Sequence, residues 1–254
     1  MRQLFLHFFR IPKEDFIFKV FGPTHLLLIA LMVFGCYFII KRSAEIRNNP
    51  ILSKKIKNGL FYILLIEQIF FYGWCLFSGV FSFAESLPLY SCRVAMICVL
   101  IGFPFNSRKA KAICIYWGIF GGVLAMVYPV LDPYYFPHFT NFTYFVGHLV
   151  LLWSAFVFLF VDRYHFTKKD YHYVLAFINI FLTIAFIVDL LSGGNYSYLV
   201  EAPFLTEIFG KLPLLVYTAM VFAAYNLLVF IIYRFGKKLN ERIRSKIWEE
   251  NRQN

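Results

Sequence analysis

The stretch "FTYFVGHLVLLWSAFVFLFV" (142–161) contains no Asp, Glu, Lys or Arg and a single histidine, His148. Twenty residues rising about 1.5 Å each as an α-helix reach about 30 Å, the thickness of bilayer hydrocarbon. The run decides the fold because it is not alone. Six further apolar runs cover 22–40, 59–83, 88–105, 112–131, 172–191 and 212–233. The third is short and ends at "GFPF" (102–105). The whole chain of 254 residues is 60% hydrophobic and 15% charged, whereas a soluble domain is about half apolar and a quarter charged. The sequence therefore reads as an all-α polytopic membrane protein, a bundle of seven transmembrane helices over 22–233. It is preceded by an amphipathic interfacial segment (1–21) and followed by a basic tail (234–254).

The net charge of +11 does not point to nucleic acid, because Lys and Arg gather between apolar runs and in the tail. Lys41, Arg42, Arg47, Lys54, Lys55 and Lys57 lie between runs one and two; Arg108, Lys109 and Lys111 between three and four; Arg163, Lys168 and Lys169 between five and six. The tail adds Arg234, Lys237, Lys238, Arg242, Arg244, Lys246 and Arg252, while the alternate loops hold only Lys211. The positive-inside rule then puts the C-terminus in the cytoplasm and the N-terminus outside. The first twenty residues mix Phe and Leu with Arg2, Arg10, Lys13, Glu14, Asp15 and Lys19. They read as an interfacial segment and not as a cleavable signal peptide. Cys36, Cys75, Cys92, Cys98 and Cys114 all lie in apolar runs without a CxxC spacing, so neither a disulfide framework nor a zinc site is expected. No cofactor motif is present and no metal site is expected.

Polar side chains inside hydrocarbon are costly and mark function by default. They are His25, Glu67, Gln68, Cys92, Arg93, Asn141, His148, Asn179, Asp189 and Asn226. On the topology above, His25, Cys92, Arg93, His148 and Asp189 fall in one outer layer drawn from four helices. Cys92 and Arg93 lie about 5–10 Å and His148 about 10 Å below the boundary. Asn141, Tyr144 and His148 share one helix face. Each residue also has a plain structural reading. Arg93 can snorkel, bind a lipid phosphate, or pair with Glu67 or Asp189. Asp189 can cap the exit of the sixth helix, and Cys92 can simply fill space.

Cysteine with histidine is a minimal acyl-transfer kit, the thiolate attacking and the imidazole taking its proton. The layer depth matches the ester groups of glycerophospholipids, so membrane phospholipids are the expected partners.

Three stretches carry a family likeness: "FGPTHLLLI" (21–29), "LPLYSC" (87–92) and "NYSYLVEAP" (195–203). The chain resembles the YwaF-like integral membrane proteins of bacteria, and more distantly a vertebrate transmembrane acyltransferase acting on ether phospholipids. The resemblance implies a seven-helix fold in a bacterial plasma membrane, with His25, Asn195 and Tyr196 shaping a pocket and a Cys/His pair at Cys92 and His148. The family usually has His where this chain has Tyr90. The expected function is a lipid acyltransferase or transacylase at the outer leaflet, with Cys92 and His148 catalytic and Arg93 binding substrate. The alternatives are a transporter or permease component using Glu67 and Asp189 as a charge relay, and a non-enzymatic membrane partner protein.

Overall fold

A computed structural model describes residues 7–15 and 18–253, with side chains up to Arg242. Arg2, Arg244, Lys246 and Arg252 lie outside the described side chains, as do parts of the N-terminal segment and basic tail. All regular structure among the described residues is helical. The helices are α1 (Pro23–Asn48), α2 (Pro50–Phe77), α3 (Ser91–Phe105), α4 (Arg108–Val127), α5 (Phe139–Val161), α6 (Lys168–Ser192) and α7 (Leu214–Gln253).

Six of these, all but α3, are long and apolar enough to cross a membrane. Large apolar side chains stand exposed on them: Phe34 at 63%, Phe77 at 93% and Leu191 at 83%. Such surface suits lipid, not water. The chain is a multi-pass membrane protein.

The run at 88–105, expected to be a seventh span, does not join the six. Its helix has 15 residues, about 22 Å. Tyr90 is still extended before the first turn, and the left-handed Asn106 follows Pro104 at the far end. A proline supplies no N–H to the ladder and a left-handed residue ends it, so the helix stops short of a bilayer's thickness.

The chain divides into two compact units, Met1–Asp162 and Arg163–Asn254. In the first, α1 and α2 form a hairpin around a single residue. Asn49 ends α1, and its side-chain oxygen accepts from the Leu52 N–H at 3.0 Å to begin α2. Pro50 cannot continue α1 but suits the first turn of α2. The centre of this unit is α5, which packs against α1, α2, α3 and α4. Of its most apolar stretch 72% is buried, against 17% for α1. Close approach depends on small residues: a β-carbon at Gly35 would lie 2.3 Å from the Trp153 indole.

The two ends of this unit differ in charge. At one end Lys57 and Lys111 both bond to Asp162, and Lys111 also reaches Asn106 at 2.6 Å. Beside them the π-helical turn Val157–Val161 turns carbonyls outward, and Arg47 donates to Phe160 and Val161 at 3.2 and 3.1 Å. At the other end the irregular stretch around Arg10–Asp15 docks on the loop before α5. Arg10 pairs with Glu14 at 2.5 Å and donates to the Tyr135 carbonyl at 2.6 Å, while the Glu14 N–H bonds to the Pro133 carbonyl at 2.9 Å.

In the second unit, Thr167 caps α6 and Gly193 closes it in the left-handed region. Asn179 of α6 and Asn226 of α7 exchange amide hydrogen bonds of 2.8 and 3.0 Å. Each amide also donates to its own helix four residues back. Replacing either Asn by Leu orphans the other amide and should cost about 1 kcal/mol in this setting. Replacing both should recover part of that loss. Thermal unfolding of the detergent-solubilised protein through a double-mutant cycle measures the coupling, and strictly additive losses would rule it out.

Candidate functional site

Cys92 and Arg93 are neighbours in sequence but point about 100° apart round α3, and they meet different helices. Arg93 turns to α2. Its guanidinium pairs with Glu67 at 2.9 Å and lies 3.8 Å from the Phe71 ring centroid. Glu67 is 5% exposed. Its second carboxylate oxygen accepts from the Gln68 amide, which also touches the Met96 sulfur at 3.3 Å. Gly147 of α5 makes room for this group, since a β-carbon there would sit 3.4 Å from the Glu67 carboxyl carbon and 2.9 Å from the Met96 methyl. Arg93 is therefore paired inside the protein, and among the described residues its other N–H groups make no further hydrogen bond.

Cys92 turns to α4, where its sulfur lies 3.1 Å from the β-carbon position of Gly121. The next residue, Gly122, accepts α5: a β-carbon there would lie 3.6 Å from the His148 carbonyl and 3.2 Å from the Leu152 β-carbon. The Gly121–Gly122 step is thus wedged between Cys92 on one side and the His148 turn on the other. The His148 ring nitrogen Nδ1 is 2.7 Å from the Tyr144 carbonyl. A carbonyl only accepts, so Nδ1 carries the proton and Nε2 keeps its lone pair. Nε2 has no hydrogen-bond partner among the described residues, and no hydrogen bond joins His148 to Cys92.

His25 is engaged at both ring nitrogens. Nδ1 accepts from the Phe21 N–H at 2.8 Å, and Nε2 donates to the Met126 carbonyl at 2.7 Å. It ties the start of α1 to the end of α4. In the second unit, Asp189 accepts from the Tyr196 N–H at 2.8 Å and so ties the loop after α6 back to its last turn; among the described residues its other oxygen is buried without a partner. Asn195 organises the loop that follows. Its carbonyl oxygen accepts from the Val200 and Glu201 N–H groups at 3.0 and 3.1 Å, and its amide donates to the Glu201 carbonyl at 2.8 Å. Tyr196 is fully buried. Of the expected site residues, Cys92, Arg93, Glu67, His148 and His25 belong to the first unit, and Asp189, Asn195 and Tyr196 to the second.

The loop "YPVLDPYYFPHFTNF" (128–142) carries further polar groups that the list of polar residues in the apolar runs does not include, Asp132 and His138 among them. His138 is fully buried, stacked 3.7 Å from the Tyr134 ring and edge-on to Trp74 at 5.8 Å. Its Nε2 donates to the Arg10 carbonyl at 2.9 Å, and its Nδ1 accepts from the Thr140 N–H at 3.3 Å. Asp132 accepts a hydrogen bond from Thr140 and lies in the field of Arg93. Protein crowds its carboxyl and pushes its pKa up, although solvent still reaches the side chain. These residues fall between apolar runs, so a search confined to the runs passes over them. An ionisable residue in an otherwise aromatic loop was the available signal.

Removing the partner of Arg93 strands a part-buried cation. Glu67→Ala should lose about 3 kcal/mol of stability, and Glu67→Gln less, because an amide oxygen still accepts. Thermal unfolding distinguishes them; equal and negligible losses would show that the pair holds nothing. The His138 imidazole is shifted down, mainly by burial. Between that lowered pKa and about 6.5 the unfolded chain binds the extra proton, so His138 contributes stability above about pH 6.5 that is lost as pH falls. Protease cleavage of the 7–15 segment should quicken between pH 7.5 and 5, and His138→Gln should flatten that dependence. An unchanged pH profile in the variant would refute the assignment.

No curated protein and no solved structure matches the chain. The model of the TMEM164 family matches residues 20–235, a span that includes the histidine stretch at 21–29, the thiol stretch at 87–92 and the capped loop at 195–203. The protein belongs to the TMEM164 family.

Proposed function

We propose that this protein is a membrane acyltransferase working on phospholipid at the outer leaflet, with Cys92 as nucleophile and His148 as base. The observation that carries the reading is the state of His148. Its proton is fixed on Nδ1 by the Tyr144 carbonyl, leaving the lone pair on Nε2, the tautomer a general base needs. Cys92 and the His148 turn flank one glycine pair of α4. The thiol would add to an acyl ester as Nε2 takes its proton. Nε2 would return that proton to the departing lysolipid hydroxyl, leaving a thioester on Cys92. An acceptor hydroxyl, deprotonated by the same nitrogen, would then take the acyl chain and restore the thiol. An ester lying between the two side chains would bridge them. The remaining N–H groups of Arg93 suit a headgroup phosphate.

The reading includes seven crossings, with the N-terminus outside and the C-terminus in the cytoplasm, in a bacterial plasma membrane as in the YwaF-like proteins. Two observations support it. Arg47, Lys57 and Lys111 gather with one acid, Asp162, at one end of the first unit, whereas toward the other the cations Arg10 and Lys13 are each matched by an acid, Glu14 and Glu85. The α3 helix begins beside the loop at 78–90 and ends at Asn106, which binds Lys111 at the basic end. The transport relay draws no comparable support, because both Glu67 oxygens are occupied and Asp189 lies in the other unit.

Mass spectrometry of protein purified from its native membrane tests the chemistry. A fatty acyl mass on Cys92 that neutral hydroxylamine releases is expected. His148→Ala should slow its formation by about 10²–10⁴-fold. A bare Cys92, with membrane acyl composition unchanged in Cys92→Ala and His148→Ala, would overturn the proposal.

A further inference from the structure

At the basic end of the first unit, far from Cys92, a cavity of about 620 Å³ opens between the start of α2 and the end of α3. Phe103, on its wall, is eleven residues beyond Cys92 on α3, about 16 Å along the axis. The size is that of a small-ligand site. Its wall carries Arg47, Lys54 and Lys57 and no carboxylate. Two of these cations are held in place. Arg47 is anchored by the carbonyls of Phe160 and Val161, and Lys57 by Asp162. Asp162 is itself shared between Lys57 and Lys111, so one acid offsets two cations, and no carboxylate lines the cavity beside Arg47 and Lys54. Pro50 and Ser53 of the first turn of α2 also line the cavity, and the positive end of a 28-residue helix adds to the field. Apart from Asn58, the rest of the lining is apolar: Phe61 and Tyr62, about one to two turns beyond Lys54 and Lys57 along α2, and Phe103 and Pro104 of α3. Tyr62 is 55% exposed, so the aromatic part of the lining lies open at the protein surface.

A cavity cationic at one end and aromatic along the side matches an amphiphile with an anionic head. We infer that this cavity binds a phosphate ester, its anionic oxygens on Arg47, Lys54 and Lys57 and its apolar part along Phe61 and Phe103. The chemistry fits the headgroup of an anionic phospholipid in the leaflet at the basic end. Free phosphate offers the same oxygens without the apolar part. The site does not depend on Cys92 or on acyl transfer.

Native mass spectrometry of the full-length protein in detergent tests this with three probes: phosphatidylglycerol, phosphatidylcholine and inorganic phosphate. Phosphatidylglycerol should be retained one to one in preference to phosphatidylcholine. Lys54→Gln changes an exposed residue with no bond to the fold, and it should weaken retention about fivefold. Asn58→Trp, at another exposed lining position, should block it by filling the cavity without changing charge. Lys169→Gln, an exposed change in the other unit, should have no effect. Retention of phosphatidylglycerol that is lost in both cavity variants supports a lipid site. Inorganic phosphate that raises the melting temperature of the parent protein but not of Lys54→Gln, without lipid selectivity, supports a site for free phosphate. Equal retention of the two lipids with no effect of phosphate, or retention unchanged in Lys54→Gln and Asn58→Trp, overturns the inference.

Discussion

The Arg93–Glu67 pair is the constraint around which the first unit is arranged. A lone guanidinium or carboxylate in hydrocarbon is costly, and the cost falls only when each finds the other or finds water. Here the two meet at 2.9 Å, with Phe71 beneath the guanidinium and Gln68 completing the carboxylate. That contact fixes the rotation of α3 against α2. The rotation turns Cys92 away from α2 and onto Gly121 of α4. Gly147 follows from the same requirement, because any side chain at that position would crowd Glu67 and Met96. One ion pair thus sets the facing of three neighbouring helices.

The histidines of this unit show how burial alone fails to separate structure from chemistry. His25, His138 and His148 are all buried. His25 uses both ring nitrogens on backbone groups, and His138 does the same. Each ring is thereby fastened in place, because turning it breaks a buried hydrogen bond. His148 spends one nitrogen and keeps the other. The distinction lies in hydrogen-bond occupancy, and the role proposed for His148 as a base rests on it.

Much of this was legible in the sequence, and the missing part has a physical cause. Runs of twenty apolar residues give helices because hydrocarbon leaves the backbone no other partner; the runs at 142–161 and 172–191 correspond to α5 and α6. The partner of Arg93 was not legible. Lipid phosphate, Glu67 and Asp189 were equally open, because helix rotation is set by packing between segments and leaves no mark in either one. Asn179 and Asn226 were visible as costly polar residues, but their pairing across 47 positions is likewise a tertiary fact. His138, fully buried and stacked on Tyr134, was passed over for a different reason: it lies between apolar runs, and a search for polar residues inside hydrocarbon does not reach it. The division at Asp162 has no compositional signal, because lipid-facing helices look alike on either side of it.

The shortness of α3 joins these observations. A helix of about 22 Å in hydrocarbon about 30 Å thick must be accommodated by thinning the bilayer or by drawing headgroups inward. Arg93 lies one residue past the thiol near the start, and Lys111 reaches Asn106 just past the finish. Each cation is already paired, Arg93 with Glu67 and Lys111 with Asp162, so what either can offer a headgroup is limited to the N–H groups those pairs leave over. On the seven-pass reading, the accommodation of α3 brings outer-leaflet esters down to Cys92 and inner-leaflet headgroups up to the cavity beside Phe103. On that reading a longer third helix would carry Cys92 and the Phe103 cavity away from the headgroup depth the two proposals assign them, so the proposed access of lipid at both ends rests on the shortness of α3.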